Sequence, residues 1–85
     1  MKVHVQFYSY LRDTMGRGED ELTLQPSDTA GRALEILCQR YPKLADCRRN
    51  ILLGVGLDWV KPDAPLKEGD VLSLMPPVQG GGTEG

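Results

Sequence analysis

Few side chains in this sequence are placed to do chemistry, and the end of the main chain is better suited to it. The only histidine, His4, sits in an alternating stretch with no nucleophile beside it. Cys38 and Cys47 stand nine positions apart, without a CxxC motif or the histidine partners of a zinc site. No phosphate loop is present. What stands out is the final decapeptide, Pro76-Pro77-Val78-Gln79-Gly80-Gly81-Gly82-Thr83-Glu84-Gly85. Glycine adds nothing to a core and loses the most entropy on ordering, and loose chain ends are common. The same residue types also suit a segment that threads a narrow channel, where a Cβ would strike the walls. The reactive group would then be a main-chain carboxylate delivered to the active site of another protein.

Such a tail needs a rigid body behind it. Residues 2–8 alternate, with Val3, Val5 and Phe7 on one side and His4, Gln6 and Tyr8 on the other, which predicts a half-buried strand. Residues 12–20, with Gly16 and Gly18 among charges, read as a loop. Residues 21–25 alternate again as a hairpin partner, ended by Pro26. Ser27 or Asp28 is expected to cap a helix over 29–41, whose apolar stripe is Ala30, Ala33, Leu34, Leu37, Cys38 and Tyr41. Gly31 weakens that helix by roughly 1 kcal/mol relative to alanine, which packing must offset. Pro42 ends it, and residues 43–50 read as a polar connection.

An apolar run over 51–55, a turn at Gly56-Leu57 and a short return over 58–60 form a second hairpin. Residues 62–69 are loop. Residues 71–75 form the last strand, with Leu72 and Leu74 inward, and Pro76 stops its ladder. The order β-β-α-β-β-β, with one main helix laid on one face of a mixed sheet, is an α+β arrangement that matches a ubiquitin-like β-grasp. The domain is expected to span residues 1–78, with a flexible glycine-rich tail over 79–85. The other sheet face, carrying His4, Gln6, Tyr8, Ser73 and Met75, is then a surface for partners.

Eighty-five residues support one small core. A net charge of −2 with scattered Lys and Arg gives no basis for nucleic-acid binding. No apolar run approaches the ~20 residues of a membrane span, and the first residues lack the features of a signal peptide. A cytoplasmic protein with no membrane contact is expected. Cys38 falls on the apolar helix stripe and reads as a buried free thiol.

At Leu66-Lys67-Glu68-Gly69-Asp70-Val71 and Leu74-Met75-Pro76-Pro77-Val78-Gln79-Gly80-Gly81, the chain resembles the MoaD/ThiS family of sulfur carriers, most closely its molybdopterin synthase small subunits. The resemblance covers residues 1 to about 81. It implies a β-grasp fold and a C-terminal glycine, here Gly81, that is adenylated and converted to a thiocarboxylate. Gly80 would pass the constriction beside it, Pro76 and Pro77 would stiffen the exit, and Met75, Pro76, Pro77, Val78 and Gln79 would contact partners. The partners implied are an E1-like adenylyltransferase, which uses ATP and Mg²⁺, and a molybdopterin synthase large subunit. The chain itself is expected to bind no cofactor and no metal and to be non-catalytic alone, the sulfur-donating subunit of a sulfurtransferase.

The chain departs from the pattern after Gly81, where Gly82-Thr83-Glu84-Gly85 follow. Four extended residues carry the terminal carboxylate roughly 13–14 Å onward, while alignment with an ATP phosphate tolerates only ~1 Å. A peptidase that removes residues 82–85 would expose the competent terminus. The alternatives are a non-carrier binding or assembly subunit, a ubiquitin-like protein modifier, or a carrier of thiamine or cysteine-type pathways.

Overall fold

A computed structural model of the chain describes residues 1–76. Among these residues, five strands, two short α-helices and one 3-10 turn accompany one longer helix. The order is β1 (Lys2–Phe7), α1 (Tyr10–Met15), β2 (Glu19–Thr23), α2 (Ala30–Arg40), α3 (Pro42–Ala45), a 3-10 turn at Arg48–Asn50, β3 (Leu52–Val55), β4 (Asp58–Val60) and β5 (Val71–Met75). The strands form one mixed sheet in the order β2-β1-β5-β3-β4. β5 lies at its centre, parallel to β1 and antiparallel to β3. This is the ubiquitin-like β-grasp expected from the sequence.

The alternation in the strands sorts the side chains onto two faces. Val3, Val5, Phe7, Leu53, Leu72 and Leu74 point inward and are buried. They meet the stripe of α2, where Ala30, Ala33, Leu34, Leu37 and Cys38 are buried. At about 25 cal/mol per Å² of apolar area, this single shared core supplies most of the driving force for folding. Cys38 is a free, buried thiol, and burial pushes its pKa up, so it is not an activated nucleophile.

Three local expectations are corrected. The helix is capped by Thr29, whose Oγ1 accepts from the Arg32 N–H at 3.2 Å, not by Ser27 or Asp28. Asp28 instead accepts from the Gln25 N–H at 2.8 Å and closes the preceding turn. The loop expected over 12–20 contains most of α1, and β2 begins at Glu19 within it. α1 is a single-face helix whose only buried residue is Leu11, too short to show a period. The polar connection over 43–50 holds α3, begun by Pro42 at its first turn, and the 3-10 turn. Leu44 is fully buried there and ties the connection to the core.

Two of the three described glycines with positive φ shape the loops around β4 and β5. Gly56, at φ 62, opens the two-residue turn between Val55 and Asp58, as a type II′ hairpin requires. Gly69, at φ 82, lets the Asp70 carboxylate accept from the Lys67 N–H at 2.8 Å while the Gly69 N–H donates to the Lys2 carbonyl at 2.8 Å. The Gly-Asp pair of the sequence motif is thus a turn that feeds the chain into β5 beside β1.

Candidate docking face and chain exit

The central position of β5 decides where its last residues lie. Leu72 and Leu74 are completely buried, so the strand is anchored on its inner side. The Tyr8 N–H donates to the Leu74 carbonyl at 3.1 Å, which extends the parallel pairing to the end of the strand. Met75 and Pro76 follow directly. Met75 pairs with Leu52 across the sheet and lies half-buried on the outer face. Pro76 is buried and has no N–H to continue the ladder. Pro77, Val78, Gln79, Gly80 and Gly81 lie outside the described residues, as do the expected domain boundary at 78 and the extension 82–85.

The outer face is built rung by rung from the strand register. Gln6 stands opposite Glu19 on one side and Ser73 on the other, Ser73 opposite Gly54, and Gly54 opposite Trp59. The missing side chain at Gly54 leaves a depression in this rung. A Cβ there would lie 3.7 Å from both Ser73 Cβ and Trp59 Cε3. The depression is the floor of a cleft of about 260 Å³ walled by Tyr8, Trp59, Leu57 and Met75. Trp59 is 64% exposed, Leu52 43%, and Leu57 fully so at the hairpin tip. Large apolar groups exposed together on one face mark an interaction surface, and an aromatic anchor beside a pocket is the usual centre of one.

All five residues expected on this face are there. Tyr8, Ser73 and Met75 line the cleft. Gln6 accepts from the Tyr8 hydroxyl. His4 stands apart near the β2 edge, with Nδ1 3.7 Å from Glu21 Oε2. Sequence reading passed over Leu52, Gly54, Leu57 and Trp59 as parts of the surface. The two-residue turn at Gly56-Leu57 carries the signal for one pair, since it sets Gly54 opposite Trp59.

A second polar cluster sits away from this face. Asp20 bonds the Tyr41 hydroxyl and Arg40 Nη1, the latter at 2.9 Å, with Arg17 at 3.5 Å. Burial pushes the Asp20 carboxyl up. The bonds from Tyr41, the Glu21 N–H and Arg40, with the charge of Arg40, together outweigh it and hold the carboxyl below its ordinary value. Burial, and then the bond to Asp20, raises the Tyr41 hydroxyl. The Tyr41 ring meets Phe7 edge-on at 5.6 Å, so the cluster locks the end of α2 onto β1 and β2. Among the described residues no group of three or more His, Cys, Asp or Glu is placed to hold a metal, and no helix is long and apolar enough to cross a membrane.

The described domain is a ubiquitin-like β-grasp whose central strand ends beside an exposed apolar face. The sequence matches the ThiS family over residues 5–81, and the chain belongs to that family. It is 30% identical over 84 residues to a molybdopterin synthase sulfur carrier subunit of Drosophila yakuba, covering 95% of this chain and 92% of that one. Its fold superimposes with a TM-score of 0.81 on a Pyrococcus furiosus protein assigned as molybdopterin converting factor, subunit 1, at 27% identity, covering 92% and 99% of the two chains. A Helicobacter pylori chain solved in the complex of subunits 1 and 2 of molybdopterin-converting factor has the same fold, with a TM-score of 0.68, 22% identity and coverage of 93% and 97%.

Proposed function

We propose that this chain is a sulfur carrier of molybdopterin biosynthesis, with Gly81 as its working terminus once residues 82–85 are removed. The observation that carries the reading is where β5 ends. β5 is held at the centre of the sheet by Leu72 and Leu74 and delivers Pro76 beside the Trp59–Met75 cleft. The family match ends at Gly81, the second glycine of the pair.

The chemistry follows from what a carboxylate lacks. A free carboxylate does not accept sulfur, because its leaving group would be oxide. In an E1-like adenylyltransferase, the Gly81 carboxylate attacks the α-phosphorus of Mg²⁺-bound ATP, pyrophosphate leaves, and an acyl-adenylate forms. The terminal sulfur of a protein persulfide then attacks the acyl carbon and AMP departs with the C–O electron pair. A thiol cleaves the resulting S–S bond, leaving the Gly81 thiocarboxylate and a disulfide. The large subunit of a molybdopterin synthase takes that sulfur into the pterin precursor, and water restores the carboxylate. ATP, Mg²⁺ and persulfide belong to partners; this chain contributes the acyl group, its reach and the docking face.

The apolar outer face serves each partner in turn. Trp59 supplies a large rigid anchor, and the flexible thioether of Met75 adapts to different surfaces. Pro76-Pro77 lowers the entropy lost when the tail is held extended.

Intact-mass analysis of the protein from its native cells tests the reading. A product ending at Gly81, with one oxygen replaced by sulfur in part of the population, is expected. A mass ending at Gly85 in cells that make the cofactor would sink it in favour of a non-carrier assembly subunit. Covalent adducts on lysines of other proteins would instead identify a modifier.

A further inference from the structure

The outer face has a second basin beside the apolar cleft, divided from it by Tyr8, which lines both. This basin, about 450 Å³, is bounded by Gln6, Phe7, Arg12, Gly18 and Glu19 besides Tyr8. Arg12 is exposed, and among the described residues no carboxylate lies within ion-pairing distance of it, Glu19 included.

Three features hold this cation in place without neutralising it. The Arg12 stem runs over Gly18, where an added Cβ would make ordinary contact with it, 3.5 Å from Nε, 3.6 Å from Cδ and 3.7 Å from Cγ. Gly18 itself is fixed by the Phe7 N–H, which donates to its carbonyl at 2.9 Å. The third feature is the turn that starts α1. Ser9 has φ 57 and ψ −140, a backbone state that a non-glycine residue adopts at a cost of about 1–3 kcal/mol. The Ser9 carbonyl accepts from the Arg12 N–H at 3.2 Å, so the strained turn sets the direction in which Arg12 leaves the helix.

A guanidinium with its stem already ordered loses less entropy on pairing than a free one. Placed at the rim of an apolar patch, it gives orientation and selectivity to an encounter driven by that patch. We infer that Arg12 is a recognition residue that forms a bidentate ion pair with a carboxylate of the synthase large subunit, while that subunit's apolar side chain fills the Gly54–Trp59 cleft. The pair fixes the rotation of the domain on its partner, and with it the line along which the tail enters. This inference rests on the carrier reading above and adds the partner's chemistry: a carboxylate positioned beside an apolar knob.

The test measures binding of the large subunit encoded in the same genome to the chain produced in its native cells, at low and raised salt. Arg12→Gln keeps the stem over Gly18 and removes the charge. It should weaken binding by about tenfold or more, flatten the salt dependence and leave the melting temperature unchanged. Arg12→Lys should recover only part of the loss, because a point charge cannot form the fork. Arg12→Gln binding as tightly as the parent, with the same salt dependence, would overturn the inference and leave the carrier reading intact. Failure of the parent chain to bind the large subunit at all would remove both.

Discussion

The Gly31 N–H donates to the Pro62 carbonyl oxygen at 2.7 Å, and a Cβ on Gly31 would lie 2.9 Å from that same oxygen. The loop after β4 is laid directly on the first turn of α2, where helix N–H groups lack internal partners. The Ala30 N–H likewise donates to the Ala64 carbonyl at 2.9 Å. The helix therefore tolerates a glycine because glycine allows the loop to close on it. Gly31→Ala should gain about 1 kcal/mol in helix propensity yet lose more through the clash with main chain, for a net destabilisation of about 1–2 kcal/mol. Chemical denaturation of the two proteins measures this, and a stabilised variant would show that the loop moves freely.

Asp20 gives a pH-dependent term of defined sign. Its carboxyl is held below its ordinary value in the fold, so its contribution is complete above the unfolded-state value near pH 4. It is lost as pH falls through the lower folded-state value. Asp20→Asn should cost about 1–3 kcal/mol at pH 7, from the charged bonds to Arg40 and Tyr41. The difference between the two proteins should shrink once the pH drops below about 4. Urea melts across that range check it; a constant difference would mean that the charge of Asp20 does not matter.

Ser9 carries backbone strain that glycine would relieve. Ser9→Gly should raise stability by up to about 1 kcal/mol, the strain released less the entropy added to the unfolded chain. Thermal melts at fixed protein concentration read the change, and a lowered melting temperature would show that the turn is unstrained.

Trp59 is mostly exposed and its removal opens no cavity in the core. Trp59→Ala should therefore leave the melting temperature nearly unchanged while weakening partner binding by at least about tenfold. Gly54→Leu, which fills the cleft floor, should have the same effect on binding. Binding to both partners unaffected by either change would place the docking face elsewhere.

In a chain ended at residue 81, Gly81→Ala should fold as the parent does and lose sulfur loading by about 10²-fold, because a small misplacement of the reacting carboxylate is that costly. Loading is read by intact mass after incubation with the activating enzyme, ATP and a persulfide donor. Unchanged loading would show that the channel admits a Cβ.

Much of this protein was determined by sequence alone, wherever a pattern repeats. The period of two in Val3-Val5-Phe7 and Leu72-Leu74 set the inner sheet face, and the three-and-four spacing from Ala30 to Cys38 set the helix that covers it. The runs from Leu66 to Val71 and from Leu74 to Gly81 carried the family, because a motif of that kind is legible without the fold. Helices of four to six residues were not legible, since α1 and α3 each bury one leucine and one residue has no period. The cap at Thr29 depended on which of three adjacent oxygens reaches an N–H, a matter of angle rather than type. The cleft on the outer face was decided only in three dimensions. Gly54, Trp59 and Met75 come from three strands and Tyr8 directly follows a fourth, and they share a cleft because β5 lies between β1 and β3, with β4 beyond. The seat of Arg12 on Gly18 likewise needs the turn at Ser9 and the pairing of β1 with β2. Local pattern sets which way a side chain faces; only the order of the strands sets what it faces beside.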